Sequence, residues 1–225
     1  LLGGKSAERE VSLMSGGAVL EALKRSGIDA HGFDPQLRGF DQLMAERFDR
    51  AFIALHGRYG EDGTMQGALE QIGLPYTRSG VMASALAMDK WRTKLIWQQV
   101  GIPTPASLLV SKSSDVDAVV KQLGLPLIVK PVHEGSTIGL TKVTRGDQMR
   151  AAIDAALQHD AYVLAEAFIQ GKELTASILG EQVLPLIHIV PAGEMYDYNA
   201  KYVSDQTKYH CPSGLPAALE AKIQA

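Results

Sequence analysis

Apolar residues fall along this chain in short blocks, and the spacing within the blocks switches between a helical and an extended period. Leu1-Leu2 is an apolar stub, followed by Gly3-Gly4-Lys5-Ser6-Ala7-Glu8-Arg9-Glu10 and then a helical pattern through Val19, Leu20 and Leu23. That pattern predicts a helix with Ser12 as N-cap and Gly27 as its stop. A short strand is expected near 30–33. A buried strand over 48–55 contains the unbroken run Ala51-Phe52-Ile53-Ala54-Leu55 and ends in His56-Gly57-Arg58-Tyr59-Gly60-Glu61-Asp62-Gly63. A helix over 64–72, capped by Gly73, follows. Strand, Gly-rich turn and helix, met twice, argue for a parallel, doubly wound sheet whose ligand crevice lies beyond the carboxyl ends of its strands. Both turns sit at such ends, so Glu8 and His56 are expected to face one crevice.

Ser79-Gly80 opens a small-residue helix over 81–88, and Asp89-Lys90 starts another over 91–100, ended by Gly101, Pro103 and Pro105. A domain boundary is expected at 88–90. A second α/β region then reads as strand 107–110, helix 114–123, strand 127–130, a glycine hairpin, helix 147–157 and strand 162–165. Strands over 174–179 and 183–189 are joined by the two-residue turn Gly180-Glu181, a hairpin signal. Beyond Val190 the pattern dissolves. Residues 191–213 are polar and aromatic, with Asp197, Lys201, Asp205 and Lys208, the composition of an active-site lid or of a connector.

The candidate chemistry centres on 127–140. An apolar run delivers Lys130 at its end, and Pro131 is expected to stop the ladder there. Gly135 and Gly139 bracket Ser136 and Thr137, and the run 140–143 pairs back as a hairpin. Close-approaching backbone, hydroxyl donors and an anchored ammonium are the parts of a phosphate cradle, although a plain turn with a surface lysine has the same letters. Lys90 and Lys130 could hold a triphosphate from two sides, and Lys201 would arrive with the lid. Glu166 and Glu173 flank Ala167-Phe168-Ile169, which suits an adenine slot, with backbone amides on the base edge and a carboxylate on the ribose. Glu8 also reads as a first-turn acid beside a helix dipole, and His56 as a hydrogen-bonded loop residue. Glu61 and Asp62 read as caps of the helix that follows.

Composition narrows this little. The 225 residues allow one or two domains, and 46% apolar with 21% charged residues is globular. A net charge of −3 gives no reason to expect nucleic acid or an anionic membrane as partner. Cys211 is the only cysteine, so no disulfide framework exists and a reducing cytoplasm fits best. No apolar run approaches the ~18 residues of a membrane span. The chain opens without Met and stops within an amphipathic pattern over 217–225, so it is expected to be a fragment.

Taken together the motifs resemble the D-alanine–D-alanine ligases of the ATP-grasp superfamily, across nearly the whole chain. The resemblance rests on Gly3-Gly4-x-Ser6-Ala7-Glu8-Arg9-Glu10-Val11-Ser12, His56-Gly57-x-x-Gly60-Glu61-Asp62-Gly63 and Gly80-Val81-x-Ala83-Ser84-x-x-x-Met88-Asp89-Lys90. It continues through Val129-Lys130-Pro131, Glu134-Gly135-Ser136-Thr137-Ile138-Gly139 and Tyr196-Asp197-Tyr198-x-x-Lys201-Tyr202. It implies an α/β fold with an N-terminal parallel, Rossmann-like domain (1–89), a central ATP-grasp lobe (90–173) and the start of a truncated second lobe (174–225) that includes the lid, 191–213. The implied reaction is ATP-dependent joining of two D-alanines through an acyl phosphate, in the cytoplasm, by a homodimer, with Mg2+ or Mn2+.

Glu8 would bind the ammonium of the first D-alanine with His56 beside it, and Ser136, linked to Glu8 and Tyr202, would orient substrate and hold the lid. Lys90, Lys130 and Lys201 would contact phosphates under the Ser136-Thr137 loop. Glu166 and the backbone of Ala167, Phe168 and Ile169 would take adenine, and Glu173 the ribose. Some members carry a Lys where this chain has Ala167, which leaves backbone contacts to the base. The family's metal ligands, an Asp and a later Glu-x-Asn, and an Arg that stabilises the tetrahedral intermediate are expected beyond Ala225. Alternatives are a D-alanine–D-lactate or D-alanine–D-serine ligase, an enzyme that phosphorylates a carboxylate for another amine, or a nucleotide-binding fragment without activity.

Overall fold

The computed structural model describes residues 1–193 and 195–225, and the chain divides into two compact units, Leu1–Phe168 and Ile169–Ala225. The boundary expected at 88–90 falls inside the first unit, between two separate hydrophobic clusters. One is built on Phe33, Leu43, Ile53, Leu55, Met65 and Leu69, the other on Leu127, Val129, Met149, Ile153 and Val163.

The first cluster packs extended segments rather than the expected strands. Ala54 N–H donates to the Leu1 carbonyl (2.8 Å), Leu2 N–H to Phe33 (3.0 Å) and Thr77 N–H to Ala51 (3.0 Å). The direction is parallel as expected, with an Ala51–Tyr76 bridge, but no ladder continues over 30–33 or 48–55. Side chains take the place of ladder acceptors: Gly3 N–H donates to Ser12 Oγ, Gly4 N–H to Asp34 Oδ1 and Ile53 N–H to Thr77 Oγ1. Helix α1 (Arg9–Arg25) accordingly starts ahead of Ser12, whose buried hydroxyl donates to the Ala54 carbonyl at 2.7 Å instead of capping. Helices α2 (Phe40–Ala45), α3 (Thr64–Gln71), α4 (Val81–Met88) and α5 (Lys90–Gln99) follow. The Asp89 carboxylate caps α5 by accepting from Arg92 N–H at 2.8 Å.

The second cluster lies under an antiparallel sheet. Its elements are β1 (Ser107–Val110), α6 (Val116–Leu123), β2 (Leu127–Pro131), β3 (Thr141–Val143), α7 (Met149–Ala156) and β4 (Val163–Ala167), in strand order β1-β4-β2-β3. Met149, Ala152, Ile153 and Ala156 recur three and four apart, which gives α7 one buried stripe. Helix α6 starts two residues later than the expected 114, because the Asp115 carboxylate caps it by accepting from Asp117 N–H and Ala118 N–H. Strand β2 also runs through Pro131, which pairs with Val163. Hydrogen bonds to one neighbour alternate along an antiparallel strand. Val132 N–H reaches β4 at Tyr162, so position 131 faces the side β3 has already left, and the missing donor breaks nothing.

That alternation also positions the chemistry. Leu127, Val129, Val163 and Ala165 face the helices, so Lys130 and Glu166 share the other face with Lys142.

The second unit holds β5 (Glu173–Thr175), β6 (Ile178–Leu179), β7 (Gln182–Val183), β8 (Ile187–Val190), α8 (Tyr198–Tyr202), β9 (Lys208–His210) and α9 (Ala217–Gln224). The strands expected over 174–179 and 183–189 each split in two. β6 and β7 form the hairpin across Gly180-Glu181, while β5 pairs with β8, and β8 with β9. The segment 191–213 carries α8 and β9, and its position 194 lies outside the described residues. Among the described residues no helix is long and apolar enough to cross a membrane.

Candidate nucleotide and amino-acid site

Glu8 stands at the first turn of α1 and is only 3% exposed. Its Oε1 accepts the Ser136 hydroxyl, 128 residues away in sequence, while its Oε2 is buried without a hydrogen-bond partner in the structure. An uncompensated buried carboxylate oxygen is costly unless a cation or donor reaches it. Two glycines make the room: a Cβ at Gly57 would stand 2.5 Å from Oε2 and one at Gly135 2.9 Å from it. The His56 loop is tied in beside them. His56 Nε2 lies 2.8 Å from Ser15 Oγ, and its carbonyl accepts the Ser6 hydroxyl at 2.7 Å. Glu61 is folded back onto Gly57 N–H (2.8 Å), and Asp62 accepts from Thr64 N–H (3.0 Å) at the start of α3.

The loop after β2 joins this carboxylate to the lysines. Lys90 Nζ donates to the carbonyls of Val132 (3.1 Å) and Glu134, and Ser136, two residues on, reaches Glu8. Two residues of extended chain span about 7 Å. Ser136 and Thr137 hold positive φ angles of 48° and 66°, a left-handed conformation that costs a non-glycine residue about 1–2 kcal/mol. Burial, and then the Lys130 charge, push the Lys90 ammonium down to about 8. Lys130 pairs with Glu166 Oε1, and Lys94 takes Glu166 Oε2 at 3.0 Å. Burial raises the Glu166 carboxyl, but the two ammonium groups outweigh it and hold it below its ordinary value.

Sequence reasoning overlooked three of these groups. Arg58, from the His56 loop, reaches Glu134 Oε1 (3.1 Å) and Asp160 Oδ1 (3.3 Å). Burial, with the nearby Glu8 and Asp160 charges, keeps the Glu134 carboxyl raised despite Arg58. His133 stands between Asp160 (Nδ1, 2.8 Å) and Asp89 (Nε2, 3.1 Å), which fixes the loop to the α5 cap. Lys94 was the third; its only signal was its spacing of four from Lys90, which puts both on one helix face.

The adenine expectation needs correction. Ala167 N–H donates to the Ala106 carbonyl (2.9 Å) and Phe168 N–H to Pro126 (3.2 Å), so these amides are not base donors here. The Lys142 ammonium lies 4.5 Å from the centre of the Phe168 ring, a cation–π contact on the same sheet face.

In the second unit, α8 presents Lys201 with its ammonium 5.2 Å from the centre of the Tyr196 ring, and Tyr202 edge-on to Tyr198 at 5.1 Å. Burial and the Tyr209 hydroxyl, 3.0 Å away, push the Tyr196 phenol up. Glu173 is exposed on β5.

A strand-borne Lys130, a helix-borne Lys90 and a hydroxyl-bearing hairpin loop come together here in a fold of the ATP-grasp class. Residues 96–225 match the family D-ala D-ala ligase C-terminus, and residues 30–79 match D-ala D-ala ligase N-terminus. A D-alanine–D-alanine ligase from Nitrosospira multiformis is 62% identical over 224 residues, covering 100% of this chain and 73% of its own. Among solved structures, the D-alanine–D-alanine ligase from Bacillus anthracis complexed with ATP superposes with TM-score 0.81 at 32% identity, over 98% of this chain and 72% of that one. A D-Ala:D-Ser ligase from Enterococcus faecalis gives 0.77 at 30% identity, over 99% and 78%. The chain belongs to the D-alanine–D-alanine ligase family.

Proposed function

We propose that this chain joins two D-alanines at the expense of ATP, giving D-alanyl-D-alanine, ADP and phosphate for peptidoglycan precursors. The observation that carries the reading is the buried Glu8 carboxylate, with one oxygen on Ser136 and the other unpaired, on the loop that also engages Lys90. Glu8 takes the ammonium of the first D-alanine, with His56 beside it, and so fixes which way its carboxylate points. Lys90 and Lys130 draw in the triphosphate beneath the Ser136-Thr137 loop.

The D-alanine carboxylate attacks the γ-phosphorus, the bond to the β-phosphate oxygen breaks, and an acyl phosphate forms. The amine of the second D-alanine then attacks the acyl carbon, phosphate leaves, and the amine loses a proton. Carboxylates are poor electrophiles, so positioning and charge stabilisation are what the chain supplies. The resemblance extends nucleotide and substrate roles to Glu173, Lys201 and Tyr202. Glu166 serves the nucleotide side, and Ala167 and Ile169 face the base through backbone groups.

Among the described residues no group of three or more His, Cys, Asp or Glu side chains could hold a metal ion. No step above runs through the Mg2+ or Mn2+ that the resemblance implies. The resemblance implies a homodimer working in the cytoplasm.

The test is product analysis with D-alanine alone and with added D-lactate or D-serine. Release of D-alanyl-D-alanine with D-alanine-dependent phosphate formation is expected, and the Lys201-Tyr202 pair favours the dipeptide. Ester as the main product near neutral pH, or ATP turnover indifferent to D-alanine, overturns the reading.

A further inference from the structure

We propose that Lys94 is a positioning residue for the nucleotide: by holding one oxygen of Glu166, it keeps that carboxylate from capturing Lys130, the lysine the phosphates need. The inference rests on the nucleotide role of Lys130 given above.

Lys94 is only 5% exposed, rare for a lysine unless it is paired. It lies one helical turn after Lys90, and its Nζ donates to Thr104 Oγ1 at 2.7 Å while pairing with Glu166 Oε2 at 3.0 Å. Lys130 holds the other oxygen, and its side chain is the more open, 19% against 6%. Glu166 stays an anion, so the trio carries two positive charges and one negative, a net cation beside Lys90.

Remove the Lys94 charge and the balance changes. Lys130 and Glu166 become a neutral pair in a largely buried place. Turning Lys130 towards a phosphate oxygen would then strand an unpaired carboxylate, and the pair resists opening. With Lys94 present, Glu166 keeps a partner whichever way Lys130 points. Sheet alternation makes the arrangement possible: Lys130 and Glu166 lie diagonally on one face, pairing with Leu164 and Ile128 respectively, and Lys94 approaches from α5.

The experiment is calorimetric titration of the full-length protein with a non-hydrolysable ATP analogue and, separately, with inorganic tripolyphosphate, which reads the phosphate end without the base. Lys94→Met is expected to weaken analogue binding about tenfold or more. Lys94→Arg should lose less, and adding Glu166→Gln to Lys94→Met should recover most of the loss, which no packing role would do. At saturating ATP, kcat of Lys94→Met should fall less than kcat/KM.

If Lys94→Met does not fold, Glu166→Gln alone decides, and it should bind tripolyphosphate several-fold more tightly than wild type. Equal affinity in Lys94→Met, no rescue in the double variant, or no gain in Glu166→Gln overturns the inference while leaving the proposed function intact. Failure of wild type itself to bind nucleotide removes both.

Discussion

Lys90 offers a measurement that goes straight to the proposed chemistry. Its ammonium is tied to two carbonyls, yet burial and the Lys130 charge leave it at about 8 instead of the ordinary 10.5. A triphosphate placed between the two lysines must raise it again, because added negative charge favours the charged form of a base. Nucleotide binding is therefore linked to proton uptake. At pH 9, one unit above the free-state value, about one site in ten still carries the proton, so binding should take up about 0.9 proton. The Lys90 contribution to the apparent affinity should be flat below pH 7 and fall about tenfold by pH 9, worth about 1.4 kcal/mol. The phosphate groups lose their last proton lower, at roughly pH 6, and so do not supply this slope.

The sign is opposite for folding. An unfolded lysine keeps its proton to about 10.5 and the native one only to about 8, so the native state is penalised below 8 and relieved as pH rises between the two. Calorimetry of a non-hydrolysable ATP analogue in two buffers of different ionisation enthalpy reads the uptake directly. Lys90→Arg, whose guanidinium does not titrate in this range, should abolish the slope. An unchanged affinity between pH 7 and 9 in wild type, or an equal slope in Lys90→Arg, would refute the placing of Lys90 at the phosphates.

Gly57→Ala would put a Cβ 2.5 Å from Glu8 Oε2 at a φ of +68°, so KM for D-alanine should rise at least about tenfold while nucleotide affinity holds. Parallel titrations with each ligand check this. Ser136→Ala should lower turnover more than nucleotide affinity, whereas Lys130→Ala should weaken nucleotide binding; the reverse pattern would exchange their roles. Arg58→Met removes the cation facing the buried Glu134 and Asp160, and chemical denaturation should show a loss of about 2–4 kcal/mol. Leu127→Ala, at a fully buried position of β2, should cost about 2–5 kcal/mol by the same assay with little change in KM.

What could be read from the chain was whatever a few neighbouring residues decide. Helix α4 and strand β1 have the bounds their patterns predict, and Gly180-Glu181 turns the hairpin expected of it. Ser12 has the letters of a cap but does not act as one, because its partners, Gly3 N–H and the Ala54 carbonyl, are near it only in space. The segment over 48–55 lacks a ladder for a related reason: the Thr77 side chain accepts the Ile53 amide that a neighbouring strand would have taken, as Ser12 and Asp34 accept those of Gly3 and Gly4 beside it. The place of Glu166 before an apolar triplet suggests an adenine contact. Only the register of β4 on β2 reveals that it shares a face with Lys130.

On the proposed roles of Lys90 and Glu8, residues 134–136 are where the two ligands communicate. Lys90 pulls on the carbonyl of Glu134, Arg58 holds its side chain, and Glu8 captures the hydroxyl of Ser136, all across a stretch too short to absorb independent movements. The left-handed Ser136 and Thr137 oppose that geometry, so it persists only while the anchors on either side hold. A phosphate that draws Lys90 away loosens one anchor, and an ammonium that claims Glu8 alters the other. Each ligand therefore biases the conformation the other meets, and by linkage the coupling is the same from both sides. D-Alanine should change nucleotide affinity by the factor that nucleotide changes D-alanine affinity, and Ser136→Ala, which cuts the link without touching a lysine, should bring that factor towards one. A coupling factor unchanged in Ser136→Ala would mean that the two ligands sense each other by some other route.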